Sequence, residues 1–523
     1  MKGIKLYKGK ALKAVAASFI FALVVPVVTA AARLPKDWHK NLNDTCQGIN
    51  LRSAEDFLRK RKATPVIVGI IDSGYDTLSV DLAPALWVNQ DENAGNKDCD
   101  GNGYAGDVHG WNFLGTADGS FNMTSAGTEE YREFKRLYPK YKGVKEDKSE
   151  EYAYYKRMRR KAGIDSYLKF AEYTAQKDDA YLYLDSLARK NYGNRLDSVT
   201  IVDIFSMPDT LEVQFMVASN AITADIFRAG AKSLWKDLVK NHKSQFELMQ
   251  KRIYGIEHDA DKRLLMGDNL KDENDTRYGN SCLTADGCDH GTFVAGIIGG
   301  RGTIDPTVSG IYQPAQLMII RAVPDGDEYD KDVATSIRYA VDNGAKVVNL
   351  SLGKMTSPDS AMVNRAIEYA LRHDVLLVQA SGNSHLNIDS LNYYPSAIDS
   401  RAKRYPNLIR VGASDADGNA AGMSNYGATK VDVFAPGVSI VSNTTGNQLM
   451  TADGTSIAAP IVAAVAAMIR AYFPKLKAAD VRDILISSCR RGNPTLAGKC
   501  VSEGVVDAGE AVRLAANYKK RKK

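Results

Sequence analysis

Gly454-Thr455-Ser456-Ile457-Ala458-Ala459-Pro460 leads from a small-residue turn into an apolar run that continues to 472. That run is long enough and poor enough in charge to be a buried helix. Gly454 permits close backbone approach. Ser456 falls beside the helix start, where unpaired amides favour negative charge. A serine so placed is a nucleophile if a base stands within hydrogen-bond reach; without one it is an ordinary N-cap. The rest of the chain must therefore supply a base and a group to orient it.

Far upstream, Val66-Ile67-Val68-Gly69-Ile70-Ile71 is short, apolar and rich in β-branched residues, as a buried parallel strand is. It ends at Asp72-Ser73-Gly74, and in open α/β sheets the working residues gather at carboxyl ends of strands. Further strands are expected at 317–322, 346–352, 375–380, 408–413 and 431–434. Helices are expected at 54–62, 332–343, 359–373, 477–488 and 507–517. A small-residue helix opens at His290 and ends in glycines at 299–300. Strands alternating with helices mean an α/β fold: three layers, with a mainly parallel sheet covered on both faces.

Three side chains then form a set. Ser456 is the candidate nucleophile, His290 the candidate base and Asp72 the candidate orienter. An imidazole has the proton affinity suited to neutral pH, and a buried carboxylate fixes its tautomer. Asn383, after Ala380-Ser381-Gly382, offers an amide donor to a developing oxyanion.

The order Asp72, His290, Asn383, Ser456 resembles the subtilisin family of serine peptidases. The resemblance rests on Ile71-Asp72-Ser73-Gly74, His290-Gly291-Thr292 with Val294-Ala295-Gly296, Ser351-Leu352-Gly353, Ala380-Ser381-Gly382-Asn383 and Gly454-Thr455-Ser456 with Ala458-Ala459-Pro460. It covers about 64–125 and 276–475. Asp289-His290 and the 107–114 stretch are similar to bacterial exported members. The resemblance implies a subtilisin-like endopeptidase acting on protein or peptide substrates and needing no cofactor for its chemistry. The peptide would lie as an added strand beside Ser351, Leu352 and Gly353. Ser381 and Gly382 would line the pocket for the side chain before the cleaved bond. Phe293 and Ile457 depart from the family's usual histidine and methionine at those places. A catalytically silent relative that binds a peptide or partner is the alternative. A hydrolase built on a Gly-x-Ser-x-Gly elbow is not supported, because Ser456 sits in Gly-Thr-Ser-Ile-Ala.

The long gap from Asp72 to His290 is the large departure from the family. Residues 126–275 are rich in charge and tyrosine, with helical spacing at Tyr167, Phe170, Thr174 and at Leu168, Ala171, Ala175. They are read as a mainly helical inserted module between 31–125 and 276–523 of the peptidase domain. Entering between two catalytic elements, it is expected near the cleft, gating access or binding a partner. Between Ala30 and Asp72 there is little room for the family's folding propeptide. The protein is expected to need none, or to use the insertion for folding.

Residues 1–30 read as a signal peptide. Lys2, Lys5, Lys8, Lys10 and Lys13 precede an apolar run at 14–28, too short for a comfortable span, and Val28-Thr29-Ala30 offers a cleavage site. Export to periplasm, cell surface or medium follows, with membrane contact only through export. Five more cations close the chain at 519–523. Removing these ten from the formal +6 leaves a body of −4, which gives nucleic-acid binding no support.

Six cysteines in an exported chain suggest disulfides. Sequence neighbours would pair Cys282 with Cys288 and Cys489 with Cys500, leaving Cys46 with Cys99, which is one of about 15 connectivities; free buried thiols are the other reading. In 98–107, Asp98, Asp100, Asn102, Tyr104 and Asp107 begin like a calcium loop, but His109 stands where the closing glutamate belongs. A structural calcium and a solvated glycine-rich turn are the two readings.

Overall fold

The computed structural model describes residues 34–95, 97–208 and 212–518. The expected signal peptide and the basic tail at 519–523 lie outside the described residues. Contacts divide the chain into residues 1–35 and 36–523. Only Leu34 and Pro35 of the first unit are described, and the fold is that of the second.

Among the described residues one sheet has nine strands: β1 (Ile67–Asp72), β2 (Gly110–Asn112), β3 (Gln316–Arg321), β4 (Val347–Leu350), β5 (Leu376–Ala380), β6 (Leu408–Ser414), β7 (Val433–Pro436), β8 (Arg490–Arg491) and β9 (Gly504–Val505). Their order is β8-β9-β7-β6-β5-β4-β1-β3-β2. Only the β8–β9 pair is antiparallel. β1 is an interior strand, third from the β2 edge, with Asp72 level with Arg321 of β3 and Ile71 level with Leu350 of β4.

Side-chain alternation along the strands separates two cores. Val68, Ile70, Leu317, Ile319, Val378 and Val411 face the helices Asp289–Gly299 and Thr455–Tyr472. Ile71, Met318, Ile320, Val348, Leu350 and Leu377 face Asp330–Asp342 and Ser360–Arg372. Thr455–Tyr472 is apolar and long enough to cross a membrane, but 89% of it is buried, so it serves as the central helix. Fully buried Ala463, Ala464, Ala466 and Ala467 let it lie close to the sheet. A leucine at any of them would overpack that contact by about 1–3 kcal/mol.

The expected strands and helices are present, with bounds moved by a few residues; the helix expected at 54–62 runs Leu51–Leu58. Strand β2 and the hairpin Ile440–Thr444 with Gln448–Ala452 were not anticipated. Both are short and carry glycine or polar residues, so their hydrophobic periodicity is weak.

Residues 126–275 are helical. Glu129–Tyr141, Glu150–Lys161, Ile164–Tyr192 and Trp235–His258 are the long helices. Thr128 and Ser149 cap the first two through the amides of Tyr131 and Tyr152. One core gathers Phe134, Tyr141, Tyr152 and Tyr155, with Phe134 and Tyr155 stacked at 5.5 Å. Another gathers Tyr181, Leu184, Ile204 and Trp235. In the basic run Arg157-Met158-Arg159-Arg160-Lys161, Met158 points into the first core, while Arg159 pairs with Asp165, so its cations lie on a solvated helix face.

Buried ion pairs tie the insertion to the sheet domain. Lys354 Nζ donates to Glu129 Oε2 at 2.6 Å. Arg263 donates to Asp268 and Asp332 at 2.8 Å each, and Lys331 to Asp268 at 2.8 Å.

The expected disulfides are not formed: all six cysteines are free thiols. Cys46 lies against Asn41 and Asn43 in an N-terminal hairpin, and Cys99 is on an exposed loop. Cys282 and Cys489 donate to the carbonyls of Thr284 and Leu485. Cys500 lies 3.4 Å from the Ser502 hydroxyl. Nearness in sequence says nothing about whether two Cβ vectors point at each other.

Candidate active site

Asp72 ends β1, buried beneath the surface. Its Oδ1 accepts the Ser73 amide at 2.7 Å and lies 2.7 Å from His290 Nδ1. His290 is the second residue of the helix Asp289–Gly299 and faces the cleft. The helix comes this close because residue 291 has no side chain. A Cβ there would stand 1.9 Å from the Gly74 carbonyl oxygen. Burial works to lower the proton affinity of His290. The Asp72 charge, its hydrogen bond and Asp289 outweigh that, and hold the imidazole above its ordinary value.

Ser456 is the second residue of Thr455–Tyr472. In the first turn its amide has no intrahelical acceptor. Its carbonyl accepts the Ser351 hydroxyl at 2.7 Å, which in turn accepts from Asn349 at 2.9 Å. Asn383 Oδ1 accepts both the amide and the hydroxyl of Thr455, which fixes its NH2 group on the other side. A Cβ on Gly454 would stand 3.1 Å from Ser456 Oγ and 3.4 Å from Asn383 Nδ2, so hydroxyl and amide flank one point.

These groups share a cleft of about 720 Å³ lined by Asp72, His290, Asn383 and Ser456. Ser351, Leu352, Gly353 and Gly382 line it as well. Ser381 does not: it is buried and its hydroxyl donates to the Asn425 carbonyl at 3.0 Å. A small hydroxyl beside a glycine can turn either way, and only the packed neighbour decides.

Tyr393 was missed by sequence reasoning. Its hydroxyl stands 2.4 Å from where a Cβ of Gly353 would be and 2.8 Å from that of Gly382, so it fills the space between those strand ends. No spacing signal marks it. Arg321 also reaches the cleft, but its guanidinium donates inward to Ser73, Asn112 and Met123. Burial pulls that guanidinium down to about 10. Thr124 and Ser125, just ahead of the insertion, line the cleft, while no described residue of 126–275 does; the insertion's nearest approach is the start of its chain, where Ser125–Gly127 runs parallel to Asp325–Gly326.

In the loop 98–107, Asp98 and Asp100 lie with Glu92, their ligand atoms within 4.8 Å of one another. Glu92 lies outside the spacing that drew attention to the loop. Asn102 Nδ2 donates to Asp100 and Asp107. Asp107 turns inward, where it accepts from Asn89 and Tyr339, and burial pushes its carboxyl up to about 6. The Tyr104 ring packs among Trp111, Phe113 and Tyr339. Three clustered carboxylates are a hard oxygen donor set that fits calcium.

The chain is similar in sequence to proteinases of several bacteria. A thermophilic serine proteinase of Bacillus sp. (strain AK1) is 39% identical over 181 residues, which is 34% of this chain and 42% of that protein. M-protease of Shouchella clausii (strain KSM-K16) is 36% identical over 232 residues, 44% of this chain and 56% of that protein. Subtilisin BL of Lederbergia lenta is 36% identical over 232 residues, 44% of this chain and 80% of that protein. The first two matches thus span about half of those relatives' length. The model of the subtilase family matches residues 63–504, and on that match, with its fold, the chain belongs to the subtilase family.

Proposed function

We propose that this protein is an exported serine endopeptidase that hydrolyses peptide bonds with Ser456, His290, Asp72 and Asn383. The observation that carries the reading is the 2.7 Å link between Asp72 and His290 in the cleft that also holds Ser456 and Asn383. Ser456 Oγ attacks the scissile carbonyl as His290 takes its proton. Asp72 holds the imidazole tautomer and stabilises the imidazolium. The Asn383 NH2 and the Ser456 amide receive the oxyanion. His290 then protonates the leaving amine, and water releases the acyl group by the same route. The substrate backbone lies along Ser351, Leu352 and Gly353. A structural calcium held by Glu92, Asp98 and Asp100 is part of the proposal, with no role in the chemistry.

The test is labelling by a fluorophosphonate together with casein hydrolysis. Both are expected of the intact chain and neither of Ser456→Ala. A chain that is not labelled and cuts nothing, yet holds peptides, is the silent binder instead.

A further inference from the structure

One wall of the cleft carries Asp325, Asp327 and Glu328, and Asp286 stands on another side. The wall's cations are already engaged. Lys354 Nζ serves Glu129, Asp330 and the Glu328 carbonyl. Arg132 serves Glu129 and the carbonyls of Asp327 and Glu328. Asp327 Oδ2 accepts the Glu129 amide at 2.7 Å. Two cations thus face five carboxylates: Glu129, Asp325, Asp327, Glu328 and Asp330.

Glu328 bears the shortfall. It is 3% exposed, and its Oε1 is enclosed with no hydrogen-bond partner among the described residues. A buried carboxyl left in this state is costly, and a cation with donors relieves it. Burial first, and then Asp327 and Asp330 against the pull of Lys354, leave it pushed up to about 7. The other residue of fixed positive charge on the cleft, Arg321, spends its donors on the protein.

We propose that Glu328, flanked by Asp325 and Asp327, is a subsite for the cationic side chain of a lysine or arginine in the peptide substrate. The proposal rests on the peptidase reading and names the class of peptide that the cleft selects. The ammonium or guanidinium supplies the donors that Oε1 lacks, and the exposed Asp325 carboxylate draws it in.

Binding separates this subsite from turnover. Fluorescein-labelled peptides of about ten residues, with one lysine walked through the sequence, are titrated against Ser456→Ala by anisotropy. Their norleucine counterparts keep the length and lose the charge. At one position lysine is expected to bind about 10–100-fold tighter than norleucine. Glu328→Gln in the same background is expected to bring that ratio below about threefold. Equal binding at every position, or a ratio that survives Glu328→Gln, overturns the assignment. Should that variant fail to fold, Asp325→Asn, altered at an exposed side chain, replaces it. Part of the ratio is then expected to go, and an unchanged ratio counts against the subsite. Hydrolysis of the same peptides by the intact chain reports separately on the peptidase reading. Peptides held with the lysine preference but left uncut would overturn that reading and leave the subsite standing.

Discussion

Thr455 holds Asn383 by two bonds to one oxygen: its amide and its hydroxyl both donate to Asn383 Oδ1, at 2.8 and 2.9 Å. The same hydroxyl accepts the Gly382 amide at 2.9 Å. Thr455 is therefore a positioning residue for the amide that faces Ser456. Thr455→Ala is expected to lower kcat about tenfold with KM within about twofold, and to cost about 1–2 kcal/mol through the stranded Gly382 amide. Thr455→Ser should restore kcat. A fall in stability with kcat unchanged would make the residue merely structural.

Asn383→Ala removes the donor itself. Turnover should drop about 10²–10³-fold, a magnitude carried over from the oxyanion amide of subtilisin, with the fold kept and a stability loss of about 1–2 kcal/mol from the Thr455 amide left without its acceptor. Steady-state kinetics at saturating substrate decide it, and turnover like the parent's would exclude Asn383 from the reaction.

As the proposed base His290 must be neutral, so kcat/KM is expected to rise with pH through its titration. Asp72 and Asp289 hold it above the ordinary value, so the midpoint should lie above about 6.5. Asp72→Asn should move the midpoint down and reduce turnover severely. For stability the sign is opposite: a raised folded pKa stabilises the fold below the unfolded value, and that contribution fades as pH rises through the folded one. A midpoint that Asp72→Asn fails to lower would break the link.

Glu92, Asp98 and Asp100 converge from two turns of one loop. Calcium at saturation should raise the melting temperature by about 2–5 °C over the chelated protein, and Asp98→Asn should abolish the difference. Identical melting curves would leave the loop as a solvated turn.

Removing residues 126–275 would take both partners, Asp268 and Asp275, from buried Lys331, and would take Glu129 from buried Lys354, leaving it Asp330 alone among its carboxylates. An unpaired buried cation is strongly destabilising, by about 3–5 kcal/mol where a single pair is broken. Such a chain is expected to refold poorly, with recovery when Lys331→Met and Lys354→Met are added. Refolding like the parent's would show that the insertion contributes nothing to folding.

The linear order of residues carried much of this architecture. Runs such as 66–71 and 375–380 are apolar on both faces because a parallel sheet under two helical layers buries both, and that burial dictates composition directly. Asp72, His290, Asn383 and Ser456 were legible for a related reason: each sits at a strand end or first helical turn, beside small residues that close approach requires. Distances between remote side chains left no such mark. That Ser381 turns inward, that Tyr393 fills the space between Gly353 and Gly382, and that Glu92 joins Asp98 follow from packing among segments far apart in the chain. The orphaned carboxyl of Glu328 is of the same kind. Whether a buried charge has a partner depends on which cations have been claimed by others, and only the folded chain settles that competition.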